Sequence, residues 1–162
     1  MKINLTNLAK NQIQLDNYII KNNNLTKEET FNNRIMALLV EIGETANEIR
    51  FFKFWSQKKQ APDEVILEEF IDILHFVLSI GVAIDYDQWN LDFKSSVNIQ
   101  DAFFNLYKAA IDFKGTNLKK EYKEILVTLF TVADCLSFDD QDIFKMYQKK
   151  NKINFTRQDT NY

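Results

Sequence analysis

Apolar residues recur along most of the chain at three- and four-residue steps, the spacing of one face of an α-helix. Leu5, Leu8, Ile13 (or Gln12), Leu15 and Ile19 set the inner face of a first helix over about 5–20, ended by Lys21-Asn22-Asn23-Asn24. Thr26-Lys27-Glu28-Glu29 spells a capping box, with Thr26 as N-cap and Glu29 three positions on. A second helix follows on Phe31, Ile35, Leu38, Leu39, Ile42, Ala46 and Ile49. After a polar loop at 56–61, Pro62 suits a first helical position, and Asp63 and Glu64 suit the positive end of a helix dipole. The third helix, to about residue 83, is apolar on nearly every side, as a central bundle helix should be. Residues 85–98 read as a connection. Helices four (99–113, capped at Gly115), five (118–136) and six (from after Ser137 to about 150) follow, and 151–162 reads as a polar tail.

Composition agrees with this all-α reading. The 162 residues hold three Gly and one Pro, residues that sheet proteins consume in turns, and 46% are hydrophobic, enough for a core in one domain. The fold class is therefore a helix bundle of five or six helices around a four-helix core. A net charge of −3 shows no basic excess and argues against nucleic acid or an anionic membrane as partner. The longest apolar run, 73–84, is interrupted by His75 and is shorter than the ~20 residues of a membrane span. The N-terminus lacks a secretory apolar region, so a cytoplasmic protein is expected. The lone Cys135, in an apolar stretch, reads as a small buried hydrophobe.

Four carboxylates break the pattern. Glu41 and Glu44 on helix two, and Glu69 and Asp72 on helix three, form i, i+3 pairs, so each pair stands one turn apart on one face. Asp72 lies between Ile71 and Ile73, and Glu69 precedes Phe70. Burying unpaired carboxylates is costly unless protons or cations neutralise them. A divalent ion that takes oxygen ligands, such as magnesium, answers that cost and leaves positions for water and phosphates. The bland alternative is a pair of solvated helix faces. A helical di-iron site fits poorly, because it needs two Glu-x-x-His motifs and the chain has one His.

The arrangement Glu-x-x-Glu, then Glu-x-x-Asp on the next helix, resembles the all-α NTP pyrophosphatase superfamily, which includes MazG-type enzymes, dCTPases and dimeric dUTPases. Glu41-Ile-Gly-Glu-Thr-Ala-Asn-Glu-Ile-Arg-Phe-Phe-Lys-Phe-Trp55 and Glu68-Glu-Phe-Ile-Asp-Ile-Leu-His-Phe76 narrow the resemblance to the dimeric dUTPases. Gln14-Leu-Asp-Asn17 is similar to that family's uracil-pocket element. The segment from Tyr147 to Tyr162 resembles its phosphate-binding tail, with Asn161 where the family has Gly.

The resemblance implies a dUTP diphosphatase that yields dUMP and pyrophosphate. Glu41, Glu44, Glu69 and Asp72 would hold two or more Mg2+ ions, and Glu44 would accept the proton of the attacking water. Gln14, Asn17, Trp55, His75 and Phe76 would contact the nucleoside, Lys150, Asn154, Arg157 and Tyr162 the phosphates, and Lys53 would be a further substrate-binding residue. It also implies a homodimer, for which Phe103, Phe104, Leu106, Tyr107 and Phe113 on helix four offer apolar surface. Alternatives are a pyrophosphatase for another nucleotide such as dCTP, or dUDP as a further substrate. A non-catalytic helical protein that binds a partner is the alternative from another class.

Overall fold

The computed structural model describes residues 2–94 and 96–160. The elements in chain order are β1 Lys2–Asn4, α1 Thr6–Asn23, α2 Lys27–Ile49, α3 Asp63–Ala83, β2 Asn90–Asp92, α4 Ile99–Thr116, α5 Lys119–Cys135 and α6 Asp140–Asp159. The all-α architecture is as expected, with six helices among the described residues. The small exception is a two-stranded antiparallel ribbon, which pairs Ile3 with Leu91 across the connection after α3. The backbone N–H of Leu5 donates to the Trp89 carbonyl at 2.8 Å and extends that tie into the start of α1.

Local chemistry sets most boundaries. The Thr26 hydroxyl accepts from the Glu29 N–H at 3.2 Å while Glu29 Oε2 accepts from the Thr26 N–H at 2.9 Å, closing the capping box of α2. Asn98 and Asp139 cap α4 and α6 through their side-chain oxygens. Pro62 occupies the N-cap of α3 rather than its first turn. Helix α4 runs through Gly115, and Asn117 makes the left-handed turn that ends it, at φ 56°.

Helix α6 continues to Asp159, nine residues past the expected end at Lys150. Its second half is docked on α1. The Tyr18 hydroxyl donates to Asp159, Asn23 Nδ2 donates to Gln158 Oε1 at 3.1 Å, and the Tyr18 and Phe155 rings pack 5.3 Å apart. Tertiary contacts thus supply the order that the polar sequence does not advertise.

Helix α3 is the centre of the molecule and touches α1, α2, α5 and α6. Phe70, Ile71, Ile73, Leu74, Val77, Leu78 and Ile80 are fully buried along it. α1, α2, α3 and α6 form the four-helix core, while α4 and α5 pair with each other and close its back against α2 and α3. Phe103, Leu106 and Phe113 of α4 are spent inside this core; Phe104, at 64% exposure, stays outside.

Gly81 marks the tightest approach. A Cβ there would lie 2.2 Å from the Tyr122 hydroxyl and 2.6 Å from the Trp89 ring, where Tyr122 crosses α3 to donate to the Val77 carbonyl at 2.9 Å. Gly115 has open space around the same point. Gly81→Ala is therefore expected to lower stability by about 1–3 kcal/mol through overpacking. Gly115→Ala is expected to leave stability unchanged or raise it by up to about 1 kcal/mol. Denaturant unfolding of both variants checks the pair, and equal effects would contradict the packing described for α3.

Candidate active site

Two groups of polar side chains interrupt the apolar core, and one cavity joins them. The first is acidic. The i, i+3 spacing brings Glu69 and Asp72 to the side of α3 that faces Glu41 of α2, and ligand oxygens of the three lie within 4.8 Å of one another. Burial, reinforced by Asp72, Glu44 and Glu69, pushes the Glu41 carboxyl up from 4.5 to about 7. Glu69 is raised for the same reasons, burial first and Asp72 next. Asp72 is also raised, because burial outweighs the Lys150 ammonium that donates to it at 2.6 Å. Glu44 stands exposed one turn beyond Glu41 and outside this cluster, though near enough for its charge to act on Glu41 and Glu69.

The second group lies deeper. Asp16 and Arg34 form a buried ion pair at 3.1 Å, and Ser79 donates to the same carboxylate oxygen at 2.8 Å. Arg34 also reaches the Ser79 hydroxyl and carbonyl. Removing one partner of such a pair costs about 3–5 kcal/mol, since the other charge stays buried. Gln12 Nε2 donates to Asp16 at 2.8 Å, and Gln12 Oε1 meets His75 Nδ1 at 2.9 Å and the Tyr147 hydroxyl at 2.8 Å. The His75 ring stacks on Tyr147 with centroids 4.3 Å apart, and burial drives its pKa down to about 3.

The cavity, of about 460 Å³, runs between these groups. Helix α1 lines it with Gln12, Leu15, Asp16, Ile19 and Ile20; α2 with Thr30, Asn33, Arg34, Ala37 and Glu41; α3 with Asp72, His75, Phe76 and Ser79; and α6 with Asn154, Arg157 and Gln158. Its lining combines carboxylate oxygens, fixed hydrogen-bonding groups and apolar side chains. That is what an elongated ligand with a charged end and a polar ring requires.

The structure brings Glu41, Glu69, Asp72, His75, Phe76, Lys150, Asn154 and Arg157 to this region. It does not bring Gln14 or Asn17, which are exposed on α1. Gln12 and Asp16 hold the cavity side instead, because they share the helical phase of Leu8, Leu15 and Ile19, and Gln14 and Asn17 do not. Ile13 is likewise exposed, so Gln12 takes the inner position.

Lys53 and Trp55 also lie away from the cavity walls. Arg50 ends α2 in the left-handed conformation at φ 64°, and its guanidinium holds the following turn through Ser56 Oγ at 2.8 Å. Lys53 donates to Asn47, while Phe54 and Trp55 are 94% and 66% exposed. Tyr162 lies outside the described residues. Asp16, Arg34, Ser79 and Tyr147 went unanticipated. Their signal is a polar residue in phase with an apolar stripe, as Arg34 is with Phe31, Ile35 and Leu38.

The raised Glu41 carboxyl has a measurable consequence. Between pH 4.5 and about 7 the native chain keeps a proton that the unfolded chain has released. The metal-free fold therefore loses stability as pH rises through that window. Glu41→Gln is expected to melt above the wild type at pH values well above 7 in chelator, with the gain fading toward pH 4.5. Thermal unfolding across that range is the check; a pH-independent difference would refute the assignment.

A comparison with curated proteins gives no match. A family model described as dUTPase matches residues 4–162, a span that includes all four helices around the cavity and every acid of the cluster. The chain belongs to the dUTPase family.

Proposed function

We propose that the protein is a magnesium-dependent dUTP diphosphatase that hydrolyses dUTP to dUMP and pyrophosphate. The observation that carries this reading is one cavity lined both by Glu41 and Asp72 and by Gln12, Asp16 and His75. A nucleotide laid along it has its phosphates at the acids and its base at the buried polar group.

The donor set fits magnesium. Glu41, Glu69 and Asp72 supply hard carboxylate oxygens, and burial, with nearby acids adding to it, raises their pKa values. When bound, two or more Mg2+ ions would neutralise charge on phosphate oxygens and acidify a water molecule. The chain's own residues do the remaining work. Glu44, exposed beside Glu41, is assigned by resemblance as a further ligand and as the carboxylate that accepts the water's proton. Lys150 and Arg157 bring positive charge to the polyphosphate from α6, and Asn154 adds an amide. Phe76 presents an apolar edge to the sugar or base. Gln12 and Asp16, rather than Gln14 and Asn17, line the cavity from α1.

A homodimer is part of the same reading. Met36 and Val40 on α2, Phe104 and Ile111 on α4, and Phe54 and Trp55 after α2 leave large apolar side chains exposed, which a second copy would cover. No helix among the described residues is long and apolar enough to cross a membrane. A cytoplasmic location belongs to the same reading.

The full chain is expected to release pyrophosphate from dUTP with magnesium and to lose that activity in chelator. Asp72→Asn should lower the rate about 100-fold or more. A panel containing dUTP, dUDP and dCTP decides the substrate. Cleavage of dCTP with dUTP untouched would replace it, and undiminished activity in Asp72→Asn would remove the metal site.

A further inference from the structure

The proton positions in the buried polar group follow from its charged end. Asp16 Oδ2 accepts from Arg34 Nη1 at 3.1 Å and from Ser79 Oγ at 2.8 Å. A carboxylate against a guanidinium is an acceptor only, so the Gln12 atom that meets Asp16 Oδ1 at 2.8 Å is the amide nitrogen. This turns the amide oxygen toward Tyr147 and His75. An amide oxygen also only accepts, so the Tyr147 hydroxyl at 2.8 Å and His75 Nδ1 at 2.9 Å both donate. The ring proton of a neutral His75 therefore sits on Nδ1, and Nε2 carries a bare lone pair. Nε2 is buried without a partner among the described residues, and His75 lines the cavity with 6% of its surface exposed. Stacking on Tyr147, at an interplanar angle of 23°, fixes the direction of the ring.

We propose that Gln12, oriented by Asp16 and Tyr147, is a positioning residue that holds His75 in the Nδ1–H tautomer, so that Nε2 accepts a hydrogen bond from an N–H or O–H of the ligand in the cavity. The identity of that ligand rests on the nucleotide reading above; the tautomer does not. The arrangement has a chemical preference. A uracil ring presents an imide N–H where cytosine presents a lone pair, and two lone pairs facing each other in a dry site repel. A sugar hydroxyl is the other donor a nucleotide carries.

The chain has one histidine, so its imidazole nitrogens can be assigned without ambiguity in nitrogen-15-labelled protein. Long-range proton–nitrogen correlation spectra of the free protein are expected to show a pyrrole-type Nδ1 and a pyridine-type Nε2. Gln12→Met should move the proton partly or wholly to Nε2. A pyridine-type Nδ1 in the wild type overturns the proposal, and that measurement stands whether or not the variant folds. Addition of dUMP should shift the Nε2 signal away from the free pyridine value. The same shift with dCMP identifies the sugar hydroxyl as donor, and a shift with dUMP alone identifies the ring imide. A nucleotide that perturbs the cavity amides and leaves Nε2 unmoved overturns the acceptor role. Failure of both nucleotides to bind removes the nucleotide reading and the ligand half with it, while the tautomer of the free protein is judged by its own spectrum.

Discussion

The close approach of Glu41, Glu69 and Asp72 is the constraint around which the rest is arranged. Carboxylates left to themselves would separate or keep their water, and here they do neither completely. What holds them is the packing of α2 on α3. Each fully buried Leu, Ile or Phe contributes about 1.5–3 kcal/mol, and α3 alone buries Phe70, Ile71, Ile73 and Leu74 completely. A few such side chains outweigh the penalty of crowding three acids. Lys150 offsets part of that penalty from α6, and the remainder is visible as the raised Glu41, Glu69 and Asp72. The acids are thus strained by a scaffold that does not depend on them, which is the condition for a site that gains from a cation.

The deeper polar group obeys the opposite rule. Asp16, Arg34, Ser79, Gln12 and Tyr147 satisfy one another within the protein, and of the side chains linked to them His75 keeps a buried nitrogen, Nε2, without a partner among the described residues. Helix α3 couples the two groups, since Asp72 and His75 stand one turn apart on it and both line the same space.

Much of this was legible in the chain. The capping box of α2 and the all-round apolar α3 are local signals realised in place, and of the paired acids Glu41, Glu69 and Asp72 come together while Glu44 stands outside the cluster. The differences have two causes, helical phase in α1 and long-range contacts elsewhere. A motif's spelling points to Gln14 and Asn17, whereas helical phase puts Gln12 and Asp16 inside. Residues 151–159 carry no apolar stripe and read as a tail, because the contacts that order them come from Tyr18 and Asn23, more than a hundred residues earlier. The β1–β2 ribbon was invisible for the same reason: two three-residue strands pair across some ninety positions, and neither has length enough for a period.

The helical state of residues 151–159 changes how binding at Lys150, Asn154 and Arg157 would be driven. Ordering a free tail around a ligand costs roughly 1–2 kcal/mol of backbone entropy for each residue immobilised. In α6 that cost is already met during folding. The three side chains stand at i, i+4 and i+7, along one face of a rod that rises about 1.5 Å per residue. Recognition of an extended anion there would behave as a rigid ruler laid beside it. Selectivity for the anion's chain length would come from a fixed spacing, and association would be free of the delay that folding upon binding imposes.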